Sequence, residues 1–180
     1  MVEEARLERT DEGLAAVTDG WFVVDIREAA WVTNEAFGAA CVFENEAAPF
    51  AQVGFTLAVL SPGKPSGMYH AESNQEDFLV LAGECLLIVE GEERRLRAWD
   101  FVHCPPGTEH IFVGAGDGPC VIFMTGARDP GRTLVYPRSE PALRHGAGVE
   151  TETDSASVAY ARFPKWKPGP PPDWHGLPWA

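Results

Sequence analysis

Short apolar runs separated by turn-forming residues make up most of the sequence between residues 21 and 126. The runs are rich in Val, Ile, Leu and Phe, and segments such as SPG, PPGTE and GAGDGP lie between them. They read WFVVDI (21–26), AACVF (39–43), VGFTLAVL (53–60), FLVLAG (78–83), CLLIVEG (85–91), FVHC (101–104), HIFVG (110–114) and CVIFM (120–124). Many short strands with no long helical pattern between them predict an all-β domain, built as an antiparallel sandwich or barrel.

Before this region the chain is polar and acidic. In residues 1–20, Leu7, Leu14 and Val17 give at most a weak helical stripe. We therefore expect a short extension there, with little structure beyond one helical turn or two.

The chain after the apolar runs is rich in loop-forming residues. One segment, SASVAYARF (155–163), has the composition of a short helix. The last segment, PKWKPGPPPDWHGLPWA, is too rich in proline for the interior of a helix or sheet. Its large aromatic side chains are costly to leave in water, so we expect this tail to pack on the barrel or on a neighbouring subunit, the alternative being a disordered tail. These side chains are Trp166, Trp174 and Trp179.

The composition is that of an ordinary soluble globular protein, with 45% hydrophobic and 23% charged residues. The 180 residues suit one domain with extensions, and we place the three parts at 1–20, 21–126 and 127–180. No apolar run approaches the roughly 20 residues of a membrane helix, and the N-terminus has no secretory pattern. We expect no membrane partner.

The net charge of −13 argues against nucleic acid as a partner, because nucleic-acid binding depends on clustered Lys and Arg. The one dense basic cluster, RRLR (94–97), is more typical of one face of a strand than of a docking site.

The four cysteines lie in or beside apolar runs and form no CxxC pair. Buried free thiols in a reducing compartment explain this placement better than disulfides do, and a cytoplasmic location is the expectation. They are Cys41, Cys85, Cys104 and Cys120.

Candidate chemistry is concentrated in the stretch GMYHAESNQEDFLVLAGE (67–84). His70 and Glu72 are two residues apart, which places both side chains on one face of a strand. Glu76 follows after room for a bend, and His110 begins a later strand after the tight corner CPPG. Two imidazoles and two carboxylates with open positions suit one divalent transition metal ion, such as Zn, Mn, Fe or Ni.

The two segments that hold these residues resemble the two signature motifs of the cupin superfamily. The first motif is matched at Gly63, His70, Glu72, Glu76 and Gly83, and the second at Pro105, Pro106, Gly107 and His110. The resemblance covers roughly residues 50 to 126 and is typical of small, single-domain bacterial cupins of the cupin 2 type. It implies a double-stranded β-helix, the jelly-roll barrel of that superfamily, with short helical and irregular extensions.

The resemblance implies that His70, Glu76 and His110 are metal ligands. Glu72 stands where the family has a second histidine, and Trp99 and Gly114 replace a glycine and an asparagine of the second motif. A carboxylate at position 72 can still ligate, but it can also leave a weakened site or one without metal, since some cupins bind small ligands without an ion.

Each candidate also has a plainer interpretation. The two histidines can be hydrogen-bonded residues at a barrel mouth, and Glu72 can be a solvated strand-end charge. Gln75 or Asp77 takes the place of Glu76 if the bend differs by one residue. His103 is more typical of a packed residue or one facing a partner than of a ligand.

Cupins include dioxygenases, isomerases, epimerases, decarboxylases, lyases and non-catalytic ligand sensors. The resemblance implies a metal-dependent enzyme, isomerase- or oxygenase-like, acting on a small organic molecule inside the barrel, with Glu72 or Glu76 as general base. The alternatives are a non-catalytic cupin that binds or senses a metal or metabolite, and a scaffold without chemistry. Because barrel edges are usually covered, we expect a homodimer, with residues 21–43 and the tryptophan tail as candidate contact surfaces.

Overall fold

The computed structural model describes residues 1–171 and 174–179, and for Trp174 it describes the backbone only. The expectation for the side chain of Trp174 therefore lies outside the described residues. Most of the described chain between the extensions is built from β-strands, as the pattern of short apolar runs predicted, but the run WFVVDI (21–26) forms no strand.

The strands follow one another along the chain with three short helical segments near the C-terminus. The strands are β1 (Leu7–Arg9), β2 (Leu14–Ala16), β3 (Ala30–Asn34), β4 (Gly38–Val42), β5 (Val53–Leu60), β6 (Ala71–Glu72), β7 (Glu76–Ala82), β8 (Glu84–Val89), β9 (Glu92–Arg97), β10 (Phe101–Cys104), β11 (His110–Ala115), β12 (Cys120–Ala127), β13 (Leu134–Val135) and β14 (Lys167–Pro168). The helices are α1 (Glu140–Arg144), α2 (Ala156–Ala159) and a 3₁₀ turn, Trp174–Gly176. In the part of the chain described here, none of these helices has the length and apolar character needed to span a membrane.

Two antiparallel sheets enclose the main core. The larger has the order β10-β7-β12-β5-β4-β3-β14 and the smaller the order β11-β8-β9. Alternation along each strand turns one set of side chains inward, where both sheets contribute to one buried cluster. Its largest members are Leu60, Phe78, Val80, Leu87, Phe112 and Ile122.

The outer face of the larger sheet is covered by both ends of the chain. Trp31, Leu57 and Val121 are buried in a second cluster there. Leu177 of the tail is part of this cluster, and the Trp179 ring lies 5.8 Å from that of Trp31.

The N-terminal extension contains a hairpin of β1 and β2 instead of the helix that its weak apolar stripe suggested. The turn is closed by backbone hydrogen bonds between Thr10 and Gly13. Gly13 has φ +138°, and a Cβ atom at this position would collide with the backbone of Ala29. The chain reverses there, which a helix across residues 7–17 would not allow.

The C-terminal extension returns to the barrel mouth. β13 pairs with β6, with Leu134 opposite Glu72 and Val135 opposite Ala71. The segment SASVAYARF forms the short helix α2, as its composition predicted. The pairing of β13 with β6 places the chain around residue 132 beside the strand that follows His70.

All four cysteines are free and buried. Cys85, Cys104 and Cys120 lie in the main core and Cys41 lies in the outer cluster, as expected for thiols that pack as small hydrophobic residues.

Candidate metal centre

Backbone pairing brings the two predicted histidines together. His70 lies just before β6 and His110 begins β11. The N–H of His110 donates to the carbonyl of His70 at 2.8 Å, and the N–H of His70 donates back at 3.2 Å. As a result the two imidazole ring centres lie 5.0 Å apart, although the residues come from different motifs.

Each imidazole is oriented by a carbonyl two residues earlier in the chain. Nδ1 of His70 lies 2.7 Å from the carbonyl oxygen of Met68, and Nδ1 of His110 lies 3.0 Å from that of Thr108. A carbonyl only accepts hydrogen bonds, so Nδ1 of each ring carries the proton and donates it. The Nε2 atom of each neutral ring then has its lone pair available, which is the state of a metal-binding histidine.

Both Nε2 atoms face the carboxylate of Glu76. This residue begins β7, and its Oε2 lies 3.5 Å from Nε2 of His110 and 3.8 Å from Nε2 of His70. The three ligand atoms lie within 4.8 Å of one another. Among the described residues, His70, Glu76 and His110 are the group of His, Cys, Asp or Glu side chains that could hold a metal ion.

This donor set fits a divalent transition metal. Two imidazole nitrogens and one carboxylate oxygen are borderline ligands that suit zinc, manganese, iron or nickel. The side-chain exposures of 19%, 17% and 3% for His70, Glu76 and His110 show that the site is recessed. Three protein ligands leave further coordination positions for a small molecule.

Burial dominates the electrostatics of the group. It raises the pKa of Glu76 to about 7, with the negative charge of Glu72 acting in the same direction and Arg132 opposing it. Burial also lowers the pKa of His70 and lowers that of His110 to about 4, to which the neighbouring His70 contributes. Both imidazoles are therefore neutral at pH 7 and able to ligate.

The fourth predicted ligand, Glu72, lies beside the group without being part of it. Its side chain is 12% exposed, and its two oxygens accept hydrogen bonds from Nη1 of Arg132 at 3.2 and 3.4 Å. Its role as a ligand or a base stays a prediction.

The residues considered as substitutes for Glu76 form a separate cluster. The carboxylate of Asp77 lies 2.6 Å from Nδ1 of His103 and 2.6 Å from Nε2 of Gln75. The side chain of His103 is half exposed and pairs with Asp77. Within the described part of the chain, Gln75, Asp77 and His103 do not belong to the group that could hold a metal ion.

A cavity of about 190 Å³ lies next to the group. Glu72 and Glu76 line one part of it, and the strands β5 and β12 supply Thr56, Met124 and Thr125. This volume is below the roughly 300–1,000 Å³ of drug-sized ligand pockets, so the cavity suits a molecule of only a few heavy atoms.

The C-terminal extension supplies residues at this site that sequence reasoning did not find. Arg128 and Arg132 line the cavity, and the buried Tyr136 ring lies 6.1 Å from the ring of His70. The sequence around the first two reads ARDPGR (127–132), which indicates a turn. The one available signal was the presence of two arginines on either side of that turn.

Comparison with protein families identifies the class of the barrel. Residues 56–126 match the family model Cupin_2, described as a cupin domain. None of the curated protein sequences matches the chain. Residues 56–126 thus form a cupin domain of the cupin 2 type, as the two motifs indicated.

Solved structures give the same fold. A sugar phosphate isomerase of the cupin superfamily from Silicibacter pomeroyi is 22% identical, over 63% of this chain and 80% of its own, with a TM-score of 0.55. The polyketide cyclase RemF from Streptomyces resistomycificus is 15% identical, over 62% of this chain and 83% of its own, with a TM-score of 0.53. These likenesses confirm the double-stranded β-helix.

A third structure, from Acidithiobacillus ferrooxidans and provisionally assigned as a sugar phosphate isomerase, is 28% identical with a TM-score of 0.46. The match covers 48% of this chain and 56% of that protein, so this chain spans little more than half of its length.

Proposed function

We propose that this cupin is a metal-dependent enzyme that acts on a small organic molecule in the cavity beside His70, Glu76 and His110. The observation that carries the proposal is the convergence of both Nε2 atoms on the Glu76 carboxylate, with each imidazole fixed in the ligating tautomer. If the two histidines were only hydrogen-bonded residues at a barrel mouth, their Nε2 atoms would not need to converge on one carboxylate.

The three side chains would hold one divalent transition metal ion, and zinc, manganese, iron and nickel all suit the donor set. When bound, such an ion polarises the oxygen atoms of a substrate or activates a small oxygen-containing molecule.

The remaining residues bind and orient the substrate and move its protons. The apolar rings and chains of Phe78 and Met124 exclude water from one side of the cavity. Glu72 borders the cavity and is assigned here as the general base, because the carboxylate of Glu76 faces the two imidazoles instead. An isomerase-like or an oxygenase-like reaction is compatible with these roles.

The structural neighbours include a sugar phosphate isomerase and a polyketide cyclase, and enzymes therefore occur on this fold. At identities of 22% and 15% the neighbours support the fold and do not choose the reaction.

Elemental analysis of the untagged protein, as purified and after reconstitution, tests the metal site. We expect about one ion per chain, and we expect His70→Ala and His110→Ala each to lose stoichiometric metal because each removes one of three ligands. His103→Ala is the matched control, since this histidine lies outside the group and should leave the metal content unchanged. Stoichiometric metal in both single variants would contradict the assignment.

A non-catalytic binding or sensing cupin is the second candidate. The ion pair between Glu72 and Arg132 favours it, because that pair engages the carboxylate that an enzyme would use as a base. Incubation of the metal-loaded protein with candidate compounds, followed by mass spectrometry, separates the two. Recovery of a bound compound unchanged indicates a binder, and conversion indicates an enzyme.

Homodimer formation remains a prediction. Light scattering at micromolar concentration should give twice the chain mass of 19.6 kDa. A monomeric mass would contradict it.

A further inference from the structure

The cavity beside the metal centre has two arginines at its outer boundary. Arg128 and Arg132 line both this cavity and an adjoining one of about 290 Å³, and Ala127 is the other residue that the two cavities share. The arginines therefore border both the space next to Glu76 and the adjoining cavity.

Arg128 is held in place by its surroundings. Its backbone N–H donates to the carbonyl of Gln52 at 2.8 Å, and its Nη2 pairs with the carboxylate of Glu44. The guanidinium lies over Gly54, where a Cβ atom would collide with it. The glycine on β5 thus provides the space that this guanidinium occupies.

Arg132 is positioned by a turn and by the β13–β6 pairing. Its N–H donates to the carbonyl of Asp129 at 3.0 Å, and the N–H of Thr133 donates to Oγ of Ser73 at 2.8 Å. Its Nη1 is the atom that bonds Glu72. The side chain is 45% exposed, which is compatible with a position at an entrance.

The hydrogen-bonding capacity of these side chains exceeds what their carboxylate partners use. A guanidinium has five N–H donors in a planar fork and binds planar or tetrahedral oxyanions through two of them. The contacts with Glu44 and Glu72 use Nη2 of Arg128 and Nη1 of Arg132 respectively.

The charges around the cavity also favour an anion. Arg128 and Arg132 balance Glu44 and Glu72 in ion pairs, and Glu76 is the remaining acidic group of the cavity lining. A divalent ion on Glu76 leaves the loaded cavity with a net positive charge, in a chain whose overall charge is −13.

We propose that the substrate of this cupin is a small organic anion, and that Arg128 and Arg132 bind its carboxylate or phosphate group. The proposal deepens the function proposed above, since it names the substrate class of the same site. Thr56 and Thr125 line the cavity and offer hydroxyl groups to the rest of the molecule.

Oxyanion binding can be measured without metal or turnover. In metal-free protein, the arginine Nε–H signals are followed by NMR during titration with inorganic phosphate, acetate or chloride. We expect saturable shifts for Arg128 and Arg132 with phosphate or acetate, and none with chloride at the same ionic strength. The probe that saturates at the lower concentration distinguishes a phosphate from a carboxylate substrate.

Four variants locate the binding site. Arg128→Gln and Arg132→Gln should each weaken binding about five- to tenfold, since each removes charge-assisted hydrogen bonds. Arg94→Gln is the matched control, because Arg94 is an exposed arginine paired with Glu92 on β9, and it should bind as the wild type does. Glu72→Gln should strengthen binding severalfold, because it removes the negative charge beside Arg132.

Measuring metal content alongside anion binding distinguishes a failure of this proposal from a failure of the proposed metal site. Arg128→Gln and Arg132→Gln should keep the metal content of the wild type. The titration is repeated on zinc-loaded protein. Anion binding that matches the chloride control in both the metal-free and the zinc-loaded protein, or that is unchanged in both arginine variants, overturns the proposal. Anion binding through the arginines in a protein that takes up no metal supports this site and rejects the metal-dependent function.

Discussion

At the scale of single residues, the structure brings together His70, Glu76 and His110, three of the four ligands predicted from the two motifs, while Glu72 lies beside them. Each imidazole is oriented by a carbonyl only two residues away, so this part of the geometry is local and follows from the sequence near each histidine. The partner of Glu72 could not be predicted, because Arg132 lies 60 residues further along the chain. Their contact depends on the pairing of β13 with β6, and each of these strands has two residues, too few to leave a pattern.

The raised pKa of Glu76 predicts an unusual pH dependence for the metal-free protein. The ordinary pKa is 4.5 and the folded value is about 7, so between these values the folded state holds a proton that the unfolded chain has released. The free energy of unfolding therefore falls as pH rises through this window. Above pH 7 the buried charge lowers the free energy of unfolding by about 3 kcal/mol, since each unit between the two pKa values corresponds to about 1.4 kcal/mol.

Glu76→Gln tests this linkage. The metal-free variant should be more stable than the metal-free wild type at pH 8, by about 2 kcal/mol, and the difference should shrink at pH 4.5. Urea denaturation at both pH values measures it, with the exposed Glu150→Gln as control. Equal stability of variant and wild type at pH 8 would show that the buried carboxylate is not destabilising.

At the scale of elements, the apolar runs between residues 21 and 126 predicted most of the barrel strands. Runs such as VGFTLAVL (53–60) coincide with a strand because both faces of β5 are buried, one in the main core and one under the chain ends. The hairpin of β1 and β2 was missed because its strands have three residues each, too few to leave a pattern, and β1 is largely exposed. Its position depends on contacts with residues far along the chain, such as Ala29.

Two glycines, one just before β8 and one just after it, provide a matched pair for testing turn packing. Gly83 has φ +72° and Gly91 has φ +77°, so alanine is strained at both. A Cβ at position 83 would collide with the carbonyl of Pro119, whereas a Cβ at position 91 has nothing within 4 Å.

We expect Gly91→Ala to lower the free energy of unfolding by about 1 kcal/mol, and Gly83→Ala to lower it by about 3 kcal/mol because a steric clash adds to the strain. Chemical denaturation measures both. Equal losses would indicate that the chain around Pro119 moves aside without cost.

At the scale of the whole molecule, length and composition predicted one β-domain with extensions, but not the course of those extensions. The tail gives no periodic signal, because its prolines prevent a regular helix or strand interior. Its contacts with the larger sheet follow from single apolar side chains such as Leu177, which is 5% exposed.

Leu177→Ala tests whether the tail stabilises the molecule. Removing this side chain from its cluster with Trp31 and Val121 should lower the free energy of unfolding by about 2 kcal/mol. Val158→Ala on α2 is the control, because Val158 is 62% exposed and should have little effect. A stability unchanged by Leu177→Ala would mean that the tail detaches readily in solution.

The sources of the three candidate ligands have a mechanical consequence. His70 adjoins the small β6–β13 sheet, Glu76 begins a strand of the seven-stranded sheet, and His110 begins a strand of the three-stranded sheet. An ion held by all three would crosslink separate sheets, and so distant parts of the chain. Global unfolding would then require this crosslink to open. A chelator should therefore accelerate unfolding of the metal-loaded protein, and the rate of metal release should report how often the barrel opens.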